Sequence, residues 1–255
     1  PQKSLGYNSL KMKPEVQERM VFRTISGSRS YGLERPTSDE DTLGAFMSLP
    51  GEVFGVDGRV EHYRGTEADD NFKTLSSFIQ NAVNGSSFWI EPFFVRECDM
   101  IVVDPIMEPF LAERNLFLTQ ALVSKSKGFM DGMIRRYHSQ KGVEDKSLSP
   151  EEAEEALLKL KRGNLCHANR VGNMILEMFE TGNLRVHRPD EREYLLGVKT
   201  GTVDLAEACE RAERLMNEIG DKRDKVQLPD VADKEKLTEM LTSGIISYWK
   251  RKEWI

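Results

Sequence analysis

The densest chemistry in the chain lies between Ile25 and Asp41, where Gly27-Ser28 follows one apolar run and Asp39-x-Asp41 opens the next. A small-residue turn at the end of a strand lets backbone N–H groups and a hydroxyl approach a phosphate closely. Side chains two apart on a strand share a face, so Asp39 and Asp41 are expected to project together. Two carboxylates so placed repel one another unless a cation lies between them. Mg²⁺ suits that position, because this hard ion prefers oxygen and is held by one or two carboxylates plus substrate phosphates. Each feature alone has a plainer explanation: Gly-Ser turns are common, and an Asp-x-Asp is often a solvated acidic turn. Their succession is the more specific signal.

The elements that must position these residues divide into two kinds. Up to about residue 105 the chain reads as short β-like runs between turn clusters: Met20 to Ile25, Asp41 to Leu49, Ser87 to Val95 and Asp99 to Val103. Between them, Asn71 to Val83 carries Phe72, Leu75, Phe78, Ile79 and Ala82 at helical offsets. From about Pro109 the pattern is helical, with a helix from Phe117 to Arg136. A long one is expected from Ser149-Pro150-Glu151-Glu152, whose N-cap, first-turn proline and acidic residues suit a helix start. It is expected to reach about Glu180, with Gly163 as a potential break and Gly182-Asn183 as the stop. Two more helices fit Val203 to Ile219 and Ala232 to Trp254. The expected fold is therefore α+β, with an α/β domain built on a mixed sheet over residues 1–105 and a mainly helical domain over 106–255.

Composition sets the outer limits. In 255 residues, 36 Lys and Arg stand against 42 Asp and Glu for a net charge of −6, which argues against indiscriminate nucleic-acid binding. Hydrophobic residues at 39% and charged residues at 31% fit a chain with a packed core. No apolar run approaches the ~20 residues of a membrane span. The polar N-terminal residues lack the apolar region of a secretory signal, so a cytoplasmic setting is expected. Cys98, Cys166 and Cys209 are far apart and odd in number, and read as buried free thiols. His62, His138, His167 and His187 have no zinc-site spacing, so a structural zinc is not expected. Charge is locally uneven: Lys125, Lys127, Arg135, Arg136 and Lys141 face only Asp131 in that stretch. With Phe129 and Tyr137 interleaved, it reads either as a plain amphipathic helix or as a guide for RNA phosphates.

Gly27-Ser28 followed by Asp39-x-Asp41 resembles the signature of the DNA polymerase β-type nucleotidyltransferase superfamily. Gly27-Ser28-Arg29-Ser30-Tyr31-Gly32-Leu33 with Pro36-x-Ser38-Asp39-x-Asp41 is similar, more narrowly, to the predicted nucleotidyltransferases of bacteria and phages that include an RNA-repair-associated group. Leu75-x-x-Phe78 and Glu91-Pro92-Phe93-Phe94 resemble that family's helix and following run, with Gly85-Ser86 where the family has Asn-Pro. Lys161, His167-Ala168-x-Arg170, Gly182-x-Leu184 and Leu196-Gly197-x-Lys199-x-Gly201 resemble its helical half, so the likeness spans most of residues 20–205.

The resemblance implies that Gly27 and Ser28 hold an NTP triphosphate and that Asp39 and Asp41 bind two Mg²⁺ or Mn²⁺ ions, with a third carboxylate from a later strand. Two such ions roughly 3.5–4 Å apart serve an in-line displacement of pyrophosphate. Asp69 and Asp70 are the candidates for the third acid, Asp69 being favoured by its spacing to Leu75, although both also read as an acidic helix start. Glu67 and Glu61 are fallbacks. Glu91, in an apolar run, is expected to pair with a cation or to shape the site. Arg29 and Tyr31 lie in the phosphate loop, where Arg29 would touch phosphate and Tyr31 would pack or stack on a base. Lys161, His167, Arg170 and Lys199 are expected to meet the triphosphate from the helical half, or else to be solvated helix charges. The implied activity is NMP transfer to a hydroxyl, with an RNA or tRNA end as first acceptor. A protein hydroxyl, as in AMPylating toxins or antitoxins, is the runner-up, and a catalytically idle nucleotide- or RNA-binding module is the alternative from another class. No membrane partner is expected.

Overall fold

The computed structural model describes residues 14–55, 62–64, 70–139 and 149–255. In chain order the elements are α1 (Pro14–Gln17), β1 (Met20–Ile25), α2 (Gly27–Ser30), β2 (Thr42–Phe46), α3 (Pro50–Phe54), β3 (His62–Arg64), β4 (Asn71–Thr74), α4 (Leu75–Val83), α5 (Ser87–Ile90), β5 (Met100–Val103) and α6 (Glu108–Ala112). Then come α7 (Gln120–His138), α8 (Pro150–Thr181), α9 (Arg192–Thr200), α10 (Leu205–Arg223) and α11 (Lys234–Arg251). The fold is α+β.

The five strands form one mixed sheet in the order β3-β4-β2-β1-β5. β1 is antiparallel to both β2 and β5, whereas β2 runs parallel to β4 with Leu43 opposite Asn71. β2 is buried along its whole length, as befits the central strand of a sheet covered on both faces. The helical layer covers one face. On the other, Phe46 and Phe72 pack with Val16 and Met20 in a separate small cluster.

Two segments differ from the sequence expectation. Asn71–Thr74 is a strand, with alternating burial, and the helix begins only at Leu75, capped by Thr74 Oγ1 accepting from the Ser77 N–H at 3.4 Å. Phe72 and Leu75 are three apart, an offset that reads as helical although it straddles a strand-to-helix junction. Ser87–Ile90 is α-helical and Glu91–Phe94 a 3₁₀ turn, not a strand. Trp89 to Val95 are buried throughout, and an apolar run buried on all sides has no period by which strand and helix can be told apart.

The expected long helix α8 runs unbroken through Gly163. Ser149 and Glu152 form a capping box at its start, and Gly182, with φ 68°, ends it in the left-handed region. α9 is an element the sequence reading lacked. One continuous apolar cluster extends from Val21 and Phe22 in the sheet to Tyr248 and Trp249 in α11. α11 itself returns to the sheet, where Trp249 Nε1 donates to the Ser48 carbonyl at 2.8 Å and Arg251 pairs with Asp104 at 2.6 Å.

Candidate functional site

At the end of β1 the chain turns through Gly27 into the single turn α2. Gly27 has φ 61°, a conformation that favours glycine, and a Cβ built on it would displace the Asp41 carboxylate. The Ser26 N–H donates to the Asp41 carbonyl at 2.9 Å, continuing the β1/β2 ladder and fixing Asp41 beside the turn. Asp39 and Asp41 thus lie on the approach to β2 rather than within it, since the strand starts at Thr42. Arg29 positions this approach: its Nε donates to the Asp39 carbonyl at 3.3 Å and its Nη2 to the Ser38 carbonyl at 3.1 Å. Its guanidinium is committed to backbone, and it is not among the residues lining the cleft that opens here.

That cleft has a volume of about 1130 Å³ and lies between one end of the inner strands β1, β2 and β4 and the helical half. Its sheet side carries Ser26, Gly27, Ser28, Asp39, Asp41 and Asp70. Opposite, α8 contributes Lys159, Gly163, Cys166, His167 and Arg170, spaced by three and four so that they share one helical face. α9 adds Lys199. From α7 come Lys125, Phe129 and Met133, four residues apart along one face, with Phe88 nearby. Phe88 and Phe129 are 42% and 38% exposed, which leaves two aromatic rings open to a ligand. Lys161 is turned off the lining face of α8 by the helical repeat, and its Nζ lies 5.7 Å from the Tyr137 ring centroid instead.

Asp70 reaches the cleft wall with its carboxylate already engaged. Thr42 Oγ1 donates to Asp70 Oδ1, and Arg23 Nη2 lies 3.9 Å from the same oxygen. Arg23 Nε also donates to Thr42 Oγ1 at 3.2 Å, and its guanidinium carbon lies 5.6 Å from the Phe72 ring centroid. Asp39, Asp41 and Asp70 do not converge on one point: the only described group of three His, Cys, Asp or Glu side chains with ligand atoms within 4.8 Å of one another is elsewhere. Asp69, the favoured third acid and third metal ligand, lies outside the described residues, as do Glu61 and Glu67.

Beneath the cleft sits a buried polar triad. Arg170 donates from both Nη1 and Nη2 to Glu91 Oε1 at 3.2 Å, and its guanidinium carbon is 3.7 Å from the Tyr31 ring centroid. Burial raises the Tyr31 phenol well above its usual range; Arg170 works against that shift and Glu91 with it. Burial alone would lower the Arg170 pKa, but the Glu91 carboxylate outweighs it and keeps the guanidinium charged. Arg170 thus lines the cleft with its charge compensated, and its buried Nε has no hydrogen-bond partner. Tyr31 and Arg170 thus join the glycine-serine turn to α8. The segment after α8 clamps the same loop, with the Arg188 N–H donating to the Tyr31 carbonyl at 3.0 Å and Arg192 donating to the Gly32 and Glu34 carbonyls.

His167 has the strongest perturbation among the cleft's open side chains. Its pKa is pushed down from 6.5 to about 4 by the surrounding protein, then by Arg170 and Lys199. The sequence does not single out Lys159, because one lysine in the acid-rich start of α8 gives no sign that its face turns to the cleft. The chain matches no protein-family model and no curated protein. Among the described residues, no helix is long and apolar enough to cross a membrane.

Proposed function

We propose that the chain is a divalent-metal-dependent nucleotidyltransferase that moves a nucleoside monophosphate from an NTP to a hydroxyl, preferentially of an RNA end such as that of tRNA. The observation that carries this reading is the arrangement of one cleft. A glycine-serine turn and two aspartates stand on one wall, while Lys125, Lys159, Lys199 and His167 stand on the walls facing it. Acids on one wall and cations on another, with two exposed aromatic rings in the same lining, suit a ligand that joins a base to a metal-bound polyphosphate.

The donor set fits the implied metal. Asp39 and Asp41 are hard oxygen ligands, and the missing side chain of Gly27 gives the Asp41 carboxylate its place beside the turn. These two residues would hold the ions. When bound, such ions neutralise triphosphate charge and make the acceptor hydroxyl easier to deprotonate. The chain's own residues do the rest. The Gly27-Ser28 turn offers a close approach to phosphate, Lys125, Lys159 and Lys199 supply positive charge, and Phe88 and Phe129 offer faces to a base. In the reaction the acceptor oxygen bonds to the α-phosphorus, the bridge to the β-phosphate breaks, pyrophosphate leaves and the hydroxyl proton passes to solvent. The RNA acceptor is favoured because Lys125, from the basic stretch of α7, reaches the cleft.

The test is incubation with each α-labelled NTP, Mg²⁺ or Mn²⁺, total RNA and cell lysate, beside an Asp39→Asn/Asp41→Asn variant. Label on RNA, reduced at least ~100-fold in the variant, is expected. Label on protein would move the acceptor to a protein hydroxyl. NTP binding without transfer in any fraction would overturn the enzymatic reading in favour of a binding module.

A further inference from the structure

Away from the cleft, the last residue of α7 meets the first half of α10. His138 Nε2 lies 3.6 Å from Cys209 Sγ and 3.6 Å from Glu213 Oε1, and Cys209 Sγ lies 3.8 Å from that same Glu213 oxygen. Cys209 and Glu213 are four apart, hence on one face of α10. We propose that His138, Cys209 and Glu213 form a binding site for a zinc-class divalent cation, distinct from the acidic wall of the cleft.

The geometry is the main argument. Zinc bonds of ~2.3 Å to sulfur, ~2.0–2.1 Å to imidazole nitrogen and ~2.0–2.2 Å to carboxylate oxygen, set at tetrahedral angles, separate the ligand atoms by about 3.3–3.6 Å. The observed triangle of 3.6, 3.6 and 3.8 Å is within a few tenths of an ångström of that. The donor set selects the ion: a thiolate with an imidazole suits zinc and excludes Mg²⁺. None of the three side chains lines the cleft. His138 and Glu213 are 60% and 45% exposed at the side chain, which leaves a path for the ion and a fourth position for water.

Without an ion, Cys209 is buried and its thiol is directed at Glu213 Oε1, 3.8 Å away. On binding, a metal–sulfur bond forms and the thiol proton goes to solvent. The bound ion would tie the end of α7 to α10 and so steady the helix whose Lys125, Phe129 and Met133 wall the cleft.

Cobalt(II) is the probe. The full chain, with excess Mg²⁺ present, is expected to take up one equivalent of Co²⁺ with a thiolate-to-cobalt charge-transfer band, and to release it to one equivalent of Zn²⁺. Cys209→Ser should abolish the band, and the exposed-site variant His138→Ala should weaken binding by more than the ~10–100-fold that loss of a mere outer-shell partner costs, with an unchanged circular dichroism spectrum. Asp39→Asn/Asp41→Asn should leave the band intact. A missing band in the wild type, a band that persists in Cys209→Ser through Cys98 or Cys166, or one lost only with the two aspartates would each overturn the assignment.

Discussion

Arg170 stands between Glu91 and Tyr31, donating two hydrogen bonds to the first and covering the ring of the second. With side chains 5% and 6% exposed, the Arg170–Glu91 pair is a buried ion pair whose worth depends on both members being present. Arg170→Met strands a buried carboxylate and should cost about 3–5 kcal/mol. Glu91→Gln/Arg170→Met should recover much of that loss, because no charge is then left unpaired. Urea denaturation of the two variants checks this; a double variant no more stable than the single would contradict it.

Gly27 and Gly182 separate backbone strain from site chemistry. Both have positive φ, 61° and 68°, but a Cβ at Gly182 meets nothing within 4 Å whereas one at Gly27 meets the Asp41 carboxylate. Alanine at either position costs about 1–2 kcal/mol of left-handed strain. Only Gly27→Ala should also lower nucleotidyl transfer, by at least tenfold, or ~1.4 kcal/mol. Thermal melts and transfer rates measured on both variants provide the comparison.

His167 should respond to pH in a predictable direction. Its folded pKa of about 4 lies below the ordinary 6.5, so between those values the unfolded chain holds the extra proton. The folded state's advantage from this residue is complete above pH 6.5 and is lost as pH falls toward 4. His167→Gln should flatten stability against pH in that window. An NMR titration should place the imidazole near 4 without ligand and higher when a triphosphate sits nearby; a midpoint above 6 in the ligand-free protein would contradict this.

Phe129 tests the apolar end of the cleft. If its ring carries a base, Phe129→Ala removes stacking worth about 1–3 kcal/mol and raises the NTP Kd roughly 5–150-fold. Isothermal titration with inorganic triphosphate beside the NTP distinguishes the base contact, since affinity for the triphosphate alone should be unchanged.

Much of this arrangement was legible in the sequence because local rules governed it. Ser149-Pro150 and Gly182 bracket α8 as capping chemistry requires, and β1 follows its apolar run. The glycine-serine turn and Asp39-x-Asp41 could be paired in advance because they are near in sequence. Glu91 was expected to take a cation, but its partner Arg170 lies 79 positions away and no local pattern connects them. The same reason hid the triangle of His138 and Cys209, 71 positions apart, which spacing rules for zinc sites pass over. Lys161 and Lys159 show the opposite limit: both are lysines of one helix, and only the phase of its rotation against the sheet decides which one faces the cleft.

The apolar cluster that runs without a break from Val21 to Trp249 also constrains motion. A hinge at residues 105–106 would have to split a packed interior, and α11 straps that junction through Ser48 and Asp104. The described residues from β1 to α11 should therefore melt in one cooperative step. Ligands would enter the cleft as side chains such as Phe88 and Phe129 swing at its mouth, with no parting of two lobes.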